Sequence, residues 1–261
     1  MDFLDAVILG IVEGLTEFLP VSSTGHMIVV SGLLGLKQTE FQKTFEVAIQ
    51  LGAILAVLTL YREKLLRDFQ LWKKLIVAFI PTGVLGFLLY KFIKGYLFNP
   101  FVVSFSLILG GIVFILVERW IAKKTPRIES VNQISYPQAF LIGLFQSLAM
   151  VPGTSRSGAT IVGGLLLGMN RTTASEFSFL LAIPTMFAAV GYDLFKHRSV
   201  LSLENWQLLA VGFISAFVSA YIIVNWFLNF IKKHSFVPFG IYRILAGAVF
   251  LVLTLLGIVQ F

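Results

Sequence analysis

Six stretches of this chain, near residues 44–61, 72–92, 101–121, 173–195, 206–229 and 239–260, are apolar over the length of about 20 residues that an α-helix needs to cross a hydrocarbon core. Only 13% of the residues are charged and 57% are hydrophobic, whereas a soluble domain carries about 25% charge. The runs therefore read as transmembrane helices of an all-α polytopic membrane protein. The formal charge of +7 falls in short loops between the runs rather than on one stripe or tail, which fits membrane topology and argues against nucleic acid. There is no cysteine, so disulfides and thiol chemistry are excluded. Asp2 and Asp5 precede the first basic residue, Lys37, so the start lacks the positive region of a signal peptide. Residues 1–261 are expected to form a single membrane domain.

Two further regions, 3–35 and 137–168, are apolar but interrupted at Pro20 to Gly25 and at Pro152 to Gly158. Each predicts a short helix, a polar turn and a second short helix. Irregular backbone at membrane depth survives only against protein or a water-filled cavity, so each region is expected to be a re-entrant hairpin. The order is then hairpin, three spans, hairpin, three spans, an internal repeat over about 1–122 and about 137–261. Aligned at one fixed spacing, Gly10 pairs with Gly143, Glu13 with Gln146, Ser22 with Ser155, Thr24 with Ser157 and Gly25 with Gly158. Three crossings per half would invert the second half, and inverted-topology repeats place their site near the midplane where broken segments meet.

Basic residues set the expected orientation. One side carries Lys37, Lys43, Lys91, Lys94, Lys196 and Arg198, and the other carries twice as many between Arg62 and Lys233. The richer side is assigned to the cytoplasm. The first polar turn then enters from outside and the second from inside, with Arg156 and Arg243 left within the membrane. Trp72, Trp120, Trp206 and Trp226 near span ends suit interfacial belts.

Ionisable groups in hydrocarbon are costly and mark function by default. Glu13 and Glu17 are spaced i, i+4, so a helix presents both carboxylates on one face. Such a pair suits a hard divalent cation shared with phosphate oxygens, or one carboxylate paired with an arginine for structure. Ser22, Ser23 and Thr24 supply hydroxyls where the next helix needs an N-cap, and ordinary capping accounts for them equally well. His26 lies in the first turn of that helix and could move a proton or make a helix–helix hydrogen bond. In the second turn, Gly153, Thr154, Ser155, Ser157 and Gly158 offer backbone N–H groups at a helix start, an anion site. Arg156 adds a planar fork for phosphate oxygens, or neutralises a carboxylate. Thr160 is a hydrogen-bonding neighbour or a packed residue. Glu46 and Glu176 are expected to give structural support by pairing with arginines or hairpin backbone, and Arg243 is close enough to the cytoplasmic end of the last span that it could snorkel, the roles of all three being left open.

The pattern Glu13-Gly-x-x-Glu17-Phe-Leu-Pro-Val-Ser-Ser-Thr-Gly-His26, followed by Pro152-Gly-Thr-Ser-Arg156-Ser-Gly, resembles the undecaprenyl-diphosphate phosphatase family, also called the bacitracin-resistance protein family. The resemblance covers the whole chain. It implies a bacterial inner-membrane enzyme that hydrolyses undecaprenyl diphosphate to undecaprenyl phosphate and phosphate. That reaction recycles the lipid carrier for peptidoglycan and confers bacitracin resistance. The resemblance also implies dependence on a divalent cation, Mg2+ or Ca2+, and a pocket facing the outer side. Combined with the residue chemistry, it predicts Glu13 and Glu17 as metal ligands, with Arg156 and the turn from Ser155 to Gly158 holding the terminal phosphate. The nucleophile is Ser23, His26 or water, with His26 as proton carrier in the first and last cases. The competing reading is a lipid-phosphate flippase or secondary transporter, alone or combined with the phosphatase. Oligomeric state is left open, a homodimer included.

Overall fold

Eleven α-helices are present among the described residues, and their starts follow from local chemistry. The computed structural model describes residues 1–37, 39–93, 97, 99–197 and 205–257, apart from the side chains of 90–92. Lys94, Arg198 and the end of the last apolar run at 258–260, all used above, lie outside that set. Helix α1 (Phe3–Glu17) opens with a capping box between Asp2 and Asp5. Helix α2 (Ser23–Leu33) follows the first polar turn. Helix α3 (Glu40–Leu60) is capped by Thr39, whose side chain accepts from Gln42 N. The charged segment after it, expected to be a loop, instead forms the short helix α4 (Arg62–Arg67). Helices α5 (Phe69–Phe92) and α6 (Pro100–Ile121) complete the first half, with Asn99 capping α6 and Pro100 tolerated at its first position.

Helix α7 (Tyr136–Ser147) starts in a Ser135–Gln138 capping box and ends in a 3-10 turn over Leu148–Met150. Helix α8 (Arg156–Leu166) follows the second polar turn, and α9 (Arg171–Lys196), α10 (Trp206–Ile231) and α11 (Val237–Leu255) follow it. Six helices, α3, α5, α6, α9, α10 and α11, are long and apolar enough to cross a membrane, matching the six expected spans.

The helices that carry the polar turns are held by close crossings. Helix α1 packs on α10, where Gly10 lies against Gly212, Ser215 and Ala216. Helix α7 packs on α5, where Gly143 lies against the Ala78 carbonyl. A methyl group at either glycine would collide with backbone, which is why small residues sit at such interfaces. Helix α6 packs along α11, and α3 along both α9 and α10. The core beneath the first turn is aromatic. Phe18 meets Phe179 edge-on at 5.4 Å between ring centroids, and Phe179 meets Phe227 at 5.7 Å.

Residues on the outer faces of the spans are apolar and exposed, as lipid contact requires. Phe87 is 86% exposed and Leu109 63% exposed. Arg243 departs from expectation. It is fully buried and reaches no interface, so it does not snorkel. The other intramembrane carboxylates are also partnered differently from the expected arginines or backbone. Glu176 accepts from Lys64 Nζ at 2.7 Å, and Glu46 accepts from Ser31 Oγ and Gln42 Nε2 at 2.9 Å each.

Candidate active site

The last turn of α1 brings Glu13 and Glu17 to one buried face, 1% and 8% exposed. The chain then reverses through Ser22, whose φ of 72° is sterically costly for a side-chain-bearing residue. Ser155 in the second turn has φ 73°, and these are the two non-glycine residues with positive φ among those described. The reversal makes Ser23 the first residue of α2 and aims its hydroxyl back at α1. Ser23 Oγ donates to Glu17 Oε2 at 2.6 Å, a short charge-assisted bond. Of the two readings of these hydroxyls, ordinary capping does not hold for Ser22. Ser22 makes no side-chain cap bond to α2, whereas Ser155 Oγ accepts from Gly158 N at 3.1 Å in the ordinary way.

The second polar turn meets the first at this carboxylate. Arg156 Nη2 donates to Glu17 Oε1 at 3.2 Å, and its Nη1 donates to the Ser178 carbonyl at 2.9 Å. Glu17 is therefore bonded on one oxygen to the first turn and on the other to the second. Arg156 Nε and Glu13 Oε1 are buried with no hydrogen-bond partner. Ser157 Oγ donates to the Leu19 carbonyl at 2.8 Å, another link between the turns. Arg243 of α11 completes the junction. It donates to the carbonyls of Pro20 at 3.1 Å and Gly153 at 3.0 Å, one in each turn, and to those of Ser106 and Leu107 on α6.

A cavity of about 280 Å³ opens where the turns meet. Glu17, Ser22, Ser23, Thr24, Gly153, Ser155 and Arg156 line it, so seven of the anticipated residues share one space. Glu13 lies beside Glu17 on α1 but outside that lining. Thr154, Ser157, Gly158 and Thr160 do not line it either. Thr160 is fully engaged in packing, donating to Ser178 Oγ at 2.6 Å. His26 does not line the cavity. Its Nδ1 sits 2.8 Å from the Ser22 carbonyl and its Nε2 2.6 Å from the Tyr242 hydroxyl. A carbonyl only accepts, so Nδ1 carries hydrogen and, in the neutral ring, Nε2 accepts from Tyr242.

Four polar lining residues were not anticipated as site residues: Gln50, Thr82, Gln146 and Thr185. They are supplied by α3, α5, α7 and α9, and the last three are joined by hydrogen bonds. Gln146 Nε2 donates to Thr82 Oγ1 at 2.9 Å, and Thr185 Oγ1 donates to Gln146 Oε1 at 3.2 Å. A single polar residue in an apolar span is a weak signal, but four converging on one cavity are not.

A family model described as "Bacitracin resistance protein BacA" matches residues 6–249. The chain belongs to the BacA family. It is 61% identical over 98% of its length to the whole of an undecaprenyl-diphosphatase of Persephonella marina. It is 63% identical over 96% of its length to 98% of an undecaprenyl-diphosphatase of Wolinella succinogenes, and 56% identical over 94% to 96% of one from Aquifex aeolicus. With six helices suited to crossing a membrane, this BacA family member is a multi-pass membrane protein whose relatives named here are bacterial.

The donor set of this family member fits a divalent cation only with help from substrate. No group of three or more acidic, histidine or cysteine side chains that could hold a metal occurs among the described residues. Glu13 nevertheless presents a buried oxygen without a partner beside Glu17, and both of Glu17's oxygens are bonded. Two carboxyl groups share a single guanidinium, which is already paired with Glu17, so the cluster holds little spare positive charge for an anionic substrate. A hard cation held by one or two carboxylates plus phosphate oxygens suits that deficit.

Proposed function

We propose that this chain hydrolyses undecaprenyl diphosphate to undecaprenyl phosphate and inorganic phosphate, recycling the lipid carrier for peptidoglycan synthesis and conferring bacitracin resistance. The observation that carries the reading is the placement of Glu17 between Ser23 and Arg156, one from each polar turn, at the wall of one cavity. The starts of α2 and α8 both reach this cavity. Two positive helix ends suit a substrate with two linked anionic groups.

In the mechanism, Ser23 Oγ attacks the terminal phosphorus and passes its proton to Glu17 Oε2, the atom it already faces. The bond from that phosphorus to the bridging oxygen breaks. Its electron pair stays with undecaprenyl phosphate, which takes the proton from Glu17. Water then attacks the phosphoserine, Glu17 receives the water's proton and returns it to Ser23, and phosphate leaves. Arg156 stabilises charge on the transferring group, and its unpartnered Nε is a donor still available for a phosphate oxygen. A divalent cation held by Glu13 and Glu17 would supply neutralisation of the diphosphate and polarise its oxygens. His26 holds the turn from behind through the Ser22 carbonyl, one residue from the nucleophile.

The architecture we propose for this chemistry is an inverted repeat with two re-entrant hairpins. It is supported by the matching φ angles of Ser22 and Ser155 and by the way α1 packs on α10 of the other half while α7 packs on α5. The excess of Lys and Arg on the opposite side supports a cavity that faces outward.

The test is phosphate release by the purified protein in detergent from undecaprenyl diphosphate, with and without chelator. The expected result is release that chelator stops and added Mg2+ or Ca2+ restores. A protein that binds the lipid and releases no phosphate under any of these conditions would be a translocator instead.

A further inference from the structure

The diphosphate of a prenyl lipid can reach Ser23 only if its hydrocarbon leaves the cavity along an apolar path into the bilayer. The cavity lining is chemically mixed. Glu17, Ser23 and Arg156 are polar or charged, whereas Ala149, Met150, Met186 and Ala189 supply an apolar side. Met186 is buried and Ala189 is exposed. These two are spaced i, i+3 on one face of α9, so the apolar side runs outward along that face to the protein surface.

Helix α5 stands opposite. Met150 Cε comes to 3.6 Å from the position a Cβ would take on Gly86, so any larger side chain there would close on Met150. Pro81 and Pro184 lie inside α5 and α9. Each lacks the N–H that would bond the carbonyl four residues back, which loosens both helices beside the cavity. Methionine is unbranched and adapts to irregular apolar ligands. Beyond the mouth, Phe87 and Leu88 on α5 and Phe187 on α9 are exposed and apolar, 86%, 68% and 47% exposed.

We propose that the gap between α5 and α9, framed by Gly86, Met150, Met186 and Ala189, is the portal that holds the prenyl tail while the diphosphate lies against Ser23 and Arg156. The proposal rests on the hydrolase reading above. Another apolar hollow, of about 330 Å³, runs along α6 at Ile108, Leu109 and Ile112, but no charged side chain lines it and it shares no lining residue with the catalytic cavity. A tail bound there would be separated from the chemistry.

The portal is tested by placing the photoreactive residue p-benzoylphenylalanine at Ala189 or at Leu109 of the full chain and irradiating with radiolabelled undecaprenyl diphosphate. Label is expected at 189 and not at 109. In parallel, Ala189→Trp and Gly86→Leu are expected to raise KM for undecaprenyl diphosphate about tenfold with a smaller change in kcat. Turnover of isopentenyl diphosphate, whose single isoprene unit does not extend to the mouth, is expected to change less. Label at 109 alone, no label at either position, or an unchanged KM in both variants overturns the portal. Photolabelling does not require turnover, so a wild-type protein that releases no phosphate would overturn the hydrolase reading alone, and the label would still decide the portal.

Discussion

Ser23 and Glu17 are six residues apart in sequence, and the reversal at Ser22 joins them by a 2.6 Å hydrogen bond from hydroxyl to carboxylate. A serine so placed has its base already in contact. Ser23→Ala and Glu17→Gln should each lower kcat by about 1,000-fold, the scale for losing a nucleophile or its proton acceptor. KM should change little in Ser23→Ala. Steady-state phosphate release checks both, and substantial residual activity in Ser23→Ala would favour direct attack by water.

His26 separates positioning from proton transfer. Its Nδ1–H holds the Ser22 carbonyl, and an asparagine amide can make the same bond without a titratable ring. His26→Ala should therefore lose most activity, and His26→Asn should recover about tenfold over the alanine variant. Equal loss in both variants would return His26 to the role of proton carrier.

Arg243 should matter to the fold as well as to turnover, because it satisfies carbonyls in both polar turns and has no carboxylate partner among its hydrogen bonds. Arg243→Met removes four donor contacts from a dry site and should cost about 3 kcal/mol. The expected readout is a lowered apparent Tm in detergent together with reduced kcat. A lysine, with three donors on a point charge, should recover stability only in part.

Glu13→Gln replaces a carboxyl group that has one oxygen without a partner. The concentration of Mg2+ giving half-maximal activity should rise at least about tenfold, while apparent Tm is unchanged or raised because the carboxyl oxygen lost had no partner to lose. An unaltered Mg2+ dependence would place the cation elsewhere.

Glu118 offers a control outside the site. It accepts from Arg171 through both oxygens, at 2.6 to 3.3 Å, and from Phe236 N at 2.8 Å, tying α6, α9 and α11 together. Glu118→Gln should lower stability by about 2 kcal/mol, read as apparent Tm, with kcat and KM of the folded fraction unchanged.

The six spans and the Glu17, Ser23 and Arg156 cluster were legible because both signals are contrasts: long apolar runs, and charge where charge is costly. The partners of Arg243 were not legible. They are backbone carbonyls, which leave no residue type to read, so an arginine near a span end looked like one that reaches water. Of the two readings of His26, the structure shows the helix–helix hydrogen bond, to Tyr242, and proximity in sequence to Ser23 says nothing about which way the ring points from the first turn of α2. Helix α4 was hidden by its charges, which suit a loop as well as a surface helix. Gln50, Thr82 and Thr185 lie in three different apolar spans, and only the folded chain brings them to one cavity. A local signal did exist for two of them, because Thr82 and Thr185 each follow a proline inside a helix.

The most direct measurement is phosphate release from undecaprenyl diphosphate by Arg156→Ala, set against wild type at equal amounts of folded, membrane-extracted protein. Arg156 joins the second polar turn to the carboxylate that faces Ser23, so one composite site predicts that turnover falls about 1,000-fold. Turnover within a few-fold of wild type would mean that the second turn takes no part in the chemistry and would contradict the account.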